Sequence, residues 1–519
     1  MDRNRHVSRR LILKLAGSGA IGASAAVALA ACGETQVVEV IKEVEVEKVV
    51  TQEVVKEVEK VVTKEVVKEV EKVVEVQAMP QAVTAIIRVA HDHTSGPRGT
   101  AMKWALEQFA KAYPHIPIKF EPQGGDYQEA FGIQMTAGTQ AEIALLDAGF
   151  VNQWIQPGGF TQINEEMRKH SDWDPTRWWF SADEYTVNFF NTIPAPTNKP
   201  IEGPQFGMTY QGACTGLIFN YDMAEAKGIP EPSEGSFGLT TDFVETAMQA
   251  TDAEAGEWGK WMHVHPALTW GGWVFGLSDT GTRHFRSADG LHLECFDDGG
   301  DKGYQLAIDS IHKDKYAFPP SDAGEFSGEF GDPFSAGKVL YGWHNGGVGG
   351  NVARIKDRFH WGLIVPPEGP RGQIPGSYIG QPHAVTNAAG NAGSTEQAIE
   401  WLLFMAGPVV QERIAIDKGS TPVLKEIYDG DVINAPPPDN YGTLHVKLMR
   451  ERDDQRNWQG AHPHWWEWAA WWGAADPGFA GEETAEQSIE RMVTTSDKVL
   501  QNTKEDYDAY EAYIKTLPS

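Results

Sequence analysis

The sequence has few cysteines and few basic residues for its length. Three of the 519 residues are cysteines, and 44 lysines and arginines stand against 72 aspartates and glutamates, a formal net charge of −28. A chain this acidic is repelled by nucleic acid and by anionic lipid headgroups, so we expect neither to be a partner. Cys214 and Cys295 could pair in an oxidising compartment, but the sequence does not decide whether they do.

Motifs of common enzyme and metal sites are absent or incomplete. No Gly-x-Ser-x-Gly nucleophile motif occurs, and the glycine-rich run 346–350 lacks the residues of a phosphate-binding loop. The acidic run 297–301 lacks the alternation and closing glutamate of a calcium loop. Three His-x-His pairs, at 91/93, 263/265 and 462/464, have no further ligand at local spacing. We therefore expect no resident metal, no cofactor and no catalytic residue.

The first 33 residues have the pattern of an export signal. Residues 8–14 (SRRLILK) are similar to a twin-arginine motif, and an apolar region of small residues follows. It ends in Leu-Ala-Ala-Cys-Gly, which resembles a bacterial lipobox. This resemblance implies a signal peptide at 1–31, lipidation of Cys32, and an extracytoplasmic protein anchored to the outer face of the cytoplasmic membrane. An uncleaved signal anchor with an incidental cysteine is the alternative.

A low-complexity segment separates the signal from the rest of the chain. Residues 37–76 are almost entirely Val, Ile, Glu and Lys, and 51–62 recurs as 63–74 with a period of twelve. The Glu/Lys spacing favours a solvated helix, whereas the valine content and the even period also fit a strand. We expect residues 32–80 to be a stalk, with a reach of about 60 Å if helical. An oligomerising segment is the alternative.

The globular part begins with an alternation of strands and helices. We predict strands at 84–90, 116–121 and 141–147, and helices at 100–113 and 126–136. Strand, helix and strand at this spacing form a βαβ unit, which implies a parallel sheet with a right-handed crossover.

Further elements are predicted along the rest of the chain. We expect strands at 208–220, 291–296, 338–343, 359–369 and 376–386, and helices at 223–227, 301–315, 330–337, 396–406 and 482–500. The helix at 223–227 should stop at Gly228 and the two prolines that follow.

Residues 206–232 (FGMTYQGACTGLIFNYDMAEAKGIPEP) resemble the interlobe strand of family 1 extracellular solute-binding proteins, the ligand-catching subunits of ABC importers. The order of segments between about 82 and 519 is also similar to that family. The resemblance implies an α/β fold of two interleaved lobes, with lobe 1 at 81–209 and 381–430 and lobe 2 at 210–380 and 431–519. It also implies that the lobes close on a ligand and that a membrane permease recognises the closed form.

Candidate ligand-binding residues follow from this resemblance. The positions that match the cleft of the family are Asp126, Tyr127, Asp147, Tyr210, Gln211, His344 and Asn345. Their carboxylate and amide groups suit vicinal hydroxyls, because each can form paired hydrogen bonds. The alternative for Asp126 and Asp147 is that they cap a helix or a turn.

Tryptophan is unusually abundant, with 18 residues. Aromatic faces lie against the C–H faces of sugar rings, although most tryptophans pack in cores. The candidates for ligand contact are Trp270, Trp273 and Trp343, which lie beside glycines, and Trp465 and Trp466, where the family often presents an aromatic side chain.

We expect a monomeric binding protein for a mono- or oligosaccharide, with the transmembrane subunits of an ABC permease as its partner. Three alternatives remain open on the sequence. The first is a surface-anchored enzyme that acts on glycans with two carboxylates. The second is a binding protein for a polyamine or a phosphate ester, and the third is a passive adhesion protein.

Overall fold

The computed structural model describes a large part of the chain from residue 86 onward. The described residues are 86–124, 127–146, 148–178, 204–261, 287, 289–326, 328–345, 347–370, 372–373, 378–438, 440–442, 462–464, 467 and 474–518. They belong to one compact unit, residues 74–519. The predicted signal, Cys32 and the stalk lie outside the described residues. No helix within the described ranges is long and apolar enough to cross a membrane.

The predicted βαβ unit is confirmed. Strand β1 (Ile87–His91) pairs in parallel with β2 (Ile118–Pro122) and with β3 (Ile143–Leu145), and helix α1 (Gly96–Ala112) connects β1 to β2. Helix α1 has Pro97 in its first turn, where the missing N–H costs nothing, and it buries an apolar face that includes Phe109.

One long strand joins two groups of strands. The sheet has the order β2-β1-β3-β10-β4-β6-β5, where β5 is Trp258–Lys260, and β7 also pairs with β4. The first half of β4 (Gly207–Asn220) pairs with β10 (Tyr378–Val385), and its second half pairs with β6 (Val339–Asn345) and β7 (Trp361–Ile364), all antiparallel. We call the β1, β2, β3 and β10 side the first lobe and the β5, β6 and β7 side the second lobe. The predicted strand at 208–220 is therefore the crossing between them.

The end of β4 shows how local sequence fixes the geometry. Asn220 caps helix α5 (Tyr221–Lys227), because its side chain accepts a hydrogen bond from the backbone N–H of Met223. Gly228 ends the helix with a φ of 67°, a conformation that glycine adopts without a Cβ penalty. The predicted stop at Gly228 is confirmed.

The other strands and helices complete the two lobes. They are α2 Tyr127–Ala137, α3 Ala148–Ile155, α4 Asn164–Lys169, α6 Asp242–Ala250, β5 Trp258–Lys260, α7 Gly300–His312, α8 Gly349–Ile355, β8 Glu368–Gly369, β9 Gly372–Gln373, α9 Asn387–Ala392, α10 Thr395–Met405, α11 Pro408–Asp417, α12 Asp476–Phe479, α13 Ala485–Asn502 and α14 Lys504–Ile514.

Two predicted elements are wrong. Residues 291–296 form bends and turns with a single bridge residue, Leu293, instead of a strand, and the backbone N–H of Leu293 donates to the Asp497 carboxylate of α13. Residues 330–337 form turns instead of a helix. There Gly331 and Gly337 take positive φ values of 73° and 76°, and Asp332 accepts hydrogen bonds from the backbone and hydroxyl of Ser335.

The C-terminal helices contact both lobes. Helix α13 packs against α7 in the second lobe. Helix α14 returns to the first lobe, where the Tyr510 hydroxyl lies 2.9 Å from the Asn152 amide oxygen. The residue bounds predicted for the lobes stay predictions. Cys295 is buried with a free thiol, and the side chain of Cys214 lies outside the described part.

Candidate functional site

Three aromatic side chains converge where β1 ends beside the crossing strand. His91 is the last residue of β1, Tyr210 lies in β4, and His383 lies in β10. The His91 Nε2 atom is 3.0 Å from the Tyr210 hydroxyl, and the His383 ring stacks on the Tyr210 ring at 4.4 Å with an interplanar angle of 6°. All three are buried. We call these residues, with His93 and Gln211, the Tyr210 cluster.

Hydrogen bonds assign the tautomers within the Tyr210 cluster. The backbone N–H of His93 donates to Nδ1 of His91 at 2.9 Å, so the His91 proton is on Nε2, which donates to the Tyr210 hydroxyl. The Tyr210 hydroxyl in turn donates to Nδ1 of His93 at 2.8 Å, and the Gln211 amide nitrogen is 3.3 Å from the same atom. The remaining His93 proton is therefore on Nε2. A continuous hydrogen-bond chain ties the loop after β1 to the crossing strand.

Burial keeps this cluster uncharged. Burial lowers the pKa of His91 and of His93 well below the usual value, and the nearby Arg98 guanidinium lowers both further. Burial alone lowers the pKa of His383 to about 3, and burial is the main cause that raises the pKa of the Tyr210 hydroxyl. At neutral pH the Tyr210 cluster is thus a buried polar group without net charge.

Two charged side chains border the cluster, Asp92 on the loop after β1 and Arg98 in the first turn of α1. The Asp92 carboxylate is exposed, and it lies 3.6 Å from Nε2 of His93. The half-buried Arg98 donates from Nε to the Gly419 carbonyl at 3.0 Å, and its Nη1 is 3.5 Å from Nε2 of His93. Ligands of α/β sheets bind at the carboxyl ends of strands, which is where this loop leaves β1.

The same loop has the composition of a metal site but not its electrostatics. Ligand atoms of His91, Asp92 and His93 lie within 4.8 Å of one another. However, Nδ1 of His91 already accepts the His93 N–H, and the Arg98 guanidinium beside Nε2 of His93 would repel a cation. The arrangement therefore favours a polar or anionic ligand over a metal ion.

The predicted site residues lie in different parts of the structure. Tyr210 and Gln211 lie together in the cluster. Trp343 packs half-buried against the core of the second lobe, and its indole N–H has no hydrogen-bond partner among the described residues. The backbones of His344 and Asn345 pair with Gly216 and Thr215 in β4, so this end of β6 reaches the middle of the crossing strand.

Tyr127 begins α2 and is buried against Phe131 in the core of the first lobe, the environment of a packing residue. The remaining candidates, Asp126, Asp147, Trp270, Trp273, Trp465 and Trp466, lie outside the described residues.

Sequence reasoning missed His91, His93, His383 and Arg98 as parts of one site. The His91/His93 pair was visible in the sequence, but as a candidate metal pair. His383 gave no signal, because its place depends on the antiparallel pairing of β10 with β4, in which His383 lies opposite Met208.

Solved structures share the fold of this chain. An ABC substrate-binding protein, Lmo0181 from Listeria monocytogenes in complex with cycloalternan, has a TM-score of 0.66 and 17% identity, over 81% of this chain and 99% of that one. The maltodextrin-binding domain MalE from Bdellovibrio bacteriovorus bound to maltotriose gives 0.57 and 14%, over 80% and 100%. UgpB from Mycobacterium tuberculosis with glycerophosphocholine gives 0.61 and 15%, over 81% and 99%.

These likenesses confirm the predicted two-lobed fold. No curated protein shows significant similarity to this sequence. The family model for bacterial extracellular solute-binding proteins matches residues 94–412, well over half of the chain. The chain therefore belongs to the bacterial extracellular solute-binding protein family.

Proposed function

We propose that this protein captures a carbohydrate between its lobes and delivers it to the permease subunits of an ABC importer. The observation that carries the proposal is the uncharged Tyr210 cluster, which joins the loop after β1 to the strand that crosses between the lobes. A neutral polar cluster at the junction of the two lobes suits a ligand that carries hydroxyl groups and no net charge. The exposed Asp92 and the guanidinium of Arg98 add the paired acceptors and donors that vicinal hydroxyls can use.

Two of the similar structures described above hold oligosaccharides, cycloalternan and maltotriose, which supports the same ligand class. Binding then works by population shift. A ligand that contacts both lobes only in the closed form stabilises that form, and the permease recognises it. No covalent step is needed.

A phosphate ester is the second candidate. Arg98 is half-buried, and the histidines beside it stay neutral, so they add no positive charge of their own. A guanidinium group binds phosphate well. UgpB, which is similar in fold, binds glycerophosphocholine. Arg98→Gln separates the two candidates, because it should abolish binding of an ester but only weaken binding of a sugar.

The test is thermal unfolding of the full chain with cycloalternan, maltotriose, mannobiose, glycerophosphocholine and spermidine. A ligand at a hundred times its dissociation constant adds about 2.7 kcal/mol to the free energy of unfolding. A shift with a sugar that is recovered intact supports the proposal. A sugar that is cleaved supports the enzyme alternative, and a shift with the ester alone supports the second candidate. No shift with any sugar contradicts the carbohydrate proposal.

We further propose that the protein is exported by the twin-arginine route and held at the outer face of the membrane by lipid on Cys32, with residues 32–80 as the stalk. Mass spectrometry of the mature N-terminus tests this. The expected product starts at a diacylated Cys32, and Cys32→Ala should leave an unlipidated protein. An unmodified Cys32 in the wild-type protein contradicts the proposal.

A further inference from the structure

Two backbone segments from opposite lobes touch beside the crossing strand. The glycine-rich segment 347–350 follows β6 of the second lobe. Residues 417–420 are the last residue of α11 and the three that follow it, and α11 packs on α1 of the first lobe. The backbone N–H of Gly349 donates to the Lys418 carbonyl at 2.7 Å, and Val348 between the glycines is fully buried.

The contact is too close for any side chain. A Cβ atom on Gly347 would lie 2.2 Å from the Gly419 carbonyl oxygen, and one on Gly349 would lie 2.2 Å from the Asp417 carbonyl oxygen. Neither glycine has a positive φ, so the backbone conformation itself permits alanine at both positions. Glycine is therefore required here by the approach of the two chains and not by its conformational freedom.

The contact lies where a small displacement would turn one lobe against the other. Gly212 of β4 exchanges backbone hydrogen bonds with Thr421 at 2.8 and 2.9 Å. The Arg98 side chain holds the Gly419 carbonyl from the first lobe. On the other side, Asn345 of β6 lies opposite Thr215, three residues further along β4. The touching segments thus flank the middle of the strand that both lobes share.

We propose that Gly347 and Gly349 are positioning residues that act as a fulcrum. Their close contact with residues 417–420 sets the angle at which the lobes meet, and so sets how well the cleft closes on its ligand. The proposal rests on the proposed binding function. Backbone in van der Waals contact with backbone cannot yield as a flexible side chain can, so an added methyl group must move one lobe.

The test compares Gly347→Ala and Gly349→Ala with Gly350→Ala in the full chain. A Cβ on Gly350 would meet only Nη1 of Arg354 at 3.6 Å, an ordinary contact, so Gly350→Ala is the matched control. Small-angle scattering without ligand should show a larger radius of gyration for the first two variants and no change for the control. Affinity for cycloalternan, maltotriose or mannobiose should fall at least about tenfold in the same two variants.

The outcomes separate this inference from the proposed function. If the wild-type protein binds none of the three sugars, the carbohydrate proposal fails, and the scattering comparison still tests the fulcrum. If both variants scatter and bind like Gly350→Ala, the fulcrum is wrong.

If the two variants do not fold, Lys418→Met tests the same contact without adding volume. The Lys418 ammonium group donates to the carbonyls of Ala435 and Pro437, and its loss should loosen residues 417–420. We expect a larger radius of gyration and a weaker affinity for the sugars, with both changes smaller than in the glycine variants. A wild-type scattering curve and wild-type affinity for that variant overturn the proposal.

Discussion

Two His-x-His pairs in this chain share a local geometry and differ in charge. In both pairs the backbone N–H of the second histidine donates to Nδ1 of the first, at 2.9 Å for His91/His93 and 3.0 Å for His462/His464. His93 continues into the buried Tyr210 cluster. His464 lies instead between two carboxylates, with Nδ1 2.8 Å from Glu467 and Nε2 2.9 Å from Asp506.

The surroundings of each pair decide its protonation. Burial lowers the pKa of His91 and of His93. Partial burial acts in the same direction on His464, but the hydrogen bonds and charges of Glu467 and Asp506 outweigh it and raise its pKa. One pair is thus a neutral part of the candidate site. In the other, His464 contacts Asp506 of helix α14, and its carboxylate neighbours favour the protonated form.

The largest expected effect is a loss of stability of the protein at acid pH, caused by the three buried histidines of the Tyr210 cluster. His91, His93 and His383 have folded pKa values below the unfolded value of about 6.5, so below that pH the unfolded chain takes up protons that the folded protein does not. Stability present above pH 6.5 is therefore lost as pH falls, by on the order of 1 kcal/mol per pH unit for each histidine.

Denaturant unfolding between pH 8 and pH 4 measures this loss. His464 has the opposite sign, because its raised pKa contributes stability below pH 6.5 that is lost as pH rises through the folded value. A profile in which His91→Gln and His464→Gln shift the unfolding free energy at acid pH in the same direction would contradict the comparison.

The next largest effect is expected from Tyr210→Phe. It leaves the Nε2 proton of His91 without its acceptor and removes the hydroxyl donor to His93, so it should cost about 2–3 kcal/mol of unfolding free energy. The matched control is Tyr507→Phe, because the Tyr507 ring stacks on His462 at 4.9 Å and its hydroxyl contacts Glu511. That variant should cost less than about 1 kcal/mol. Equal losses of unfolding free energy in the two variants would contradict the difference proposed between the two histidine pairs.

His383→Phe should stabilise the protein. Both ring nitrogens of His383 are buried without a hydrogen-bond partner in the part of the chain that the structure describes, although the ring stacks well on Tyr210. Phenylalanine keeps the stacking and removes two desolvated polar atoms, so we expect a gain of about 1 kcal/mol. The decrease of the unfolding free energy as pH falls should also become less steep. A loss of stability at neutral pH would show that the imidazole has a partner on which the cluster depends.

The smallest effect is expected from His464→Gln. The Glu467 and Asp506 side chains are mostly exposed, and exposed ion pairs contribute little. The change at pH 6 should be under about 1 kcal/mol and should shrink further in 1 M salt, where charges are screened. A loss that is independent of salt would mean that His464 acts through packing.

Much of the fold follows from the sequence because its signals are local. The apolar runs of β1 and β4, the amphipathic face of α1 and the glycine stop after α5 each depend on a few neighbouring residues. The strand prediction for residues 291–296 was wrong, because local reasoning does not include the hydrogen bond from the backbone N–H of Leu293 to the Asp497 carboxylate, about 200 positions away.

The candidate site was predictable only in part for the same reason. Tyr210 and Gln211 were found through resemblance to a family. The partners of Tyr210, His91 and His383, come from strands 119 residues before and 173 residues after it, and no local pattern brings them together. The protonation of each pair depends on burial or on neighbouring carboxylates, neither of which the shared His-x-His spacing shows.

Calorimetric titration of the full chain with cycloalternan and maltotriose, followed by chromatography of the sugar, is the most direct test of the proposed function. We expect saturable binding of one sugar per chain, recovery of the intact sugar, and weaker binding by Tyr210→Phe. Cleavage of the sugar, or no heat of binding with either sugar alongside binding of glycerophosphocholine, would contradict a carbohydrate-binding protein.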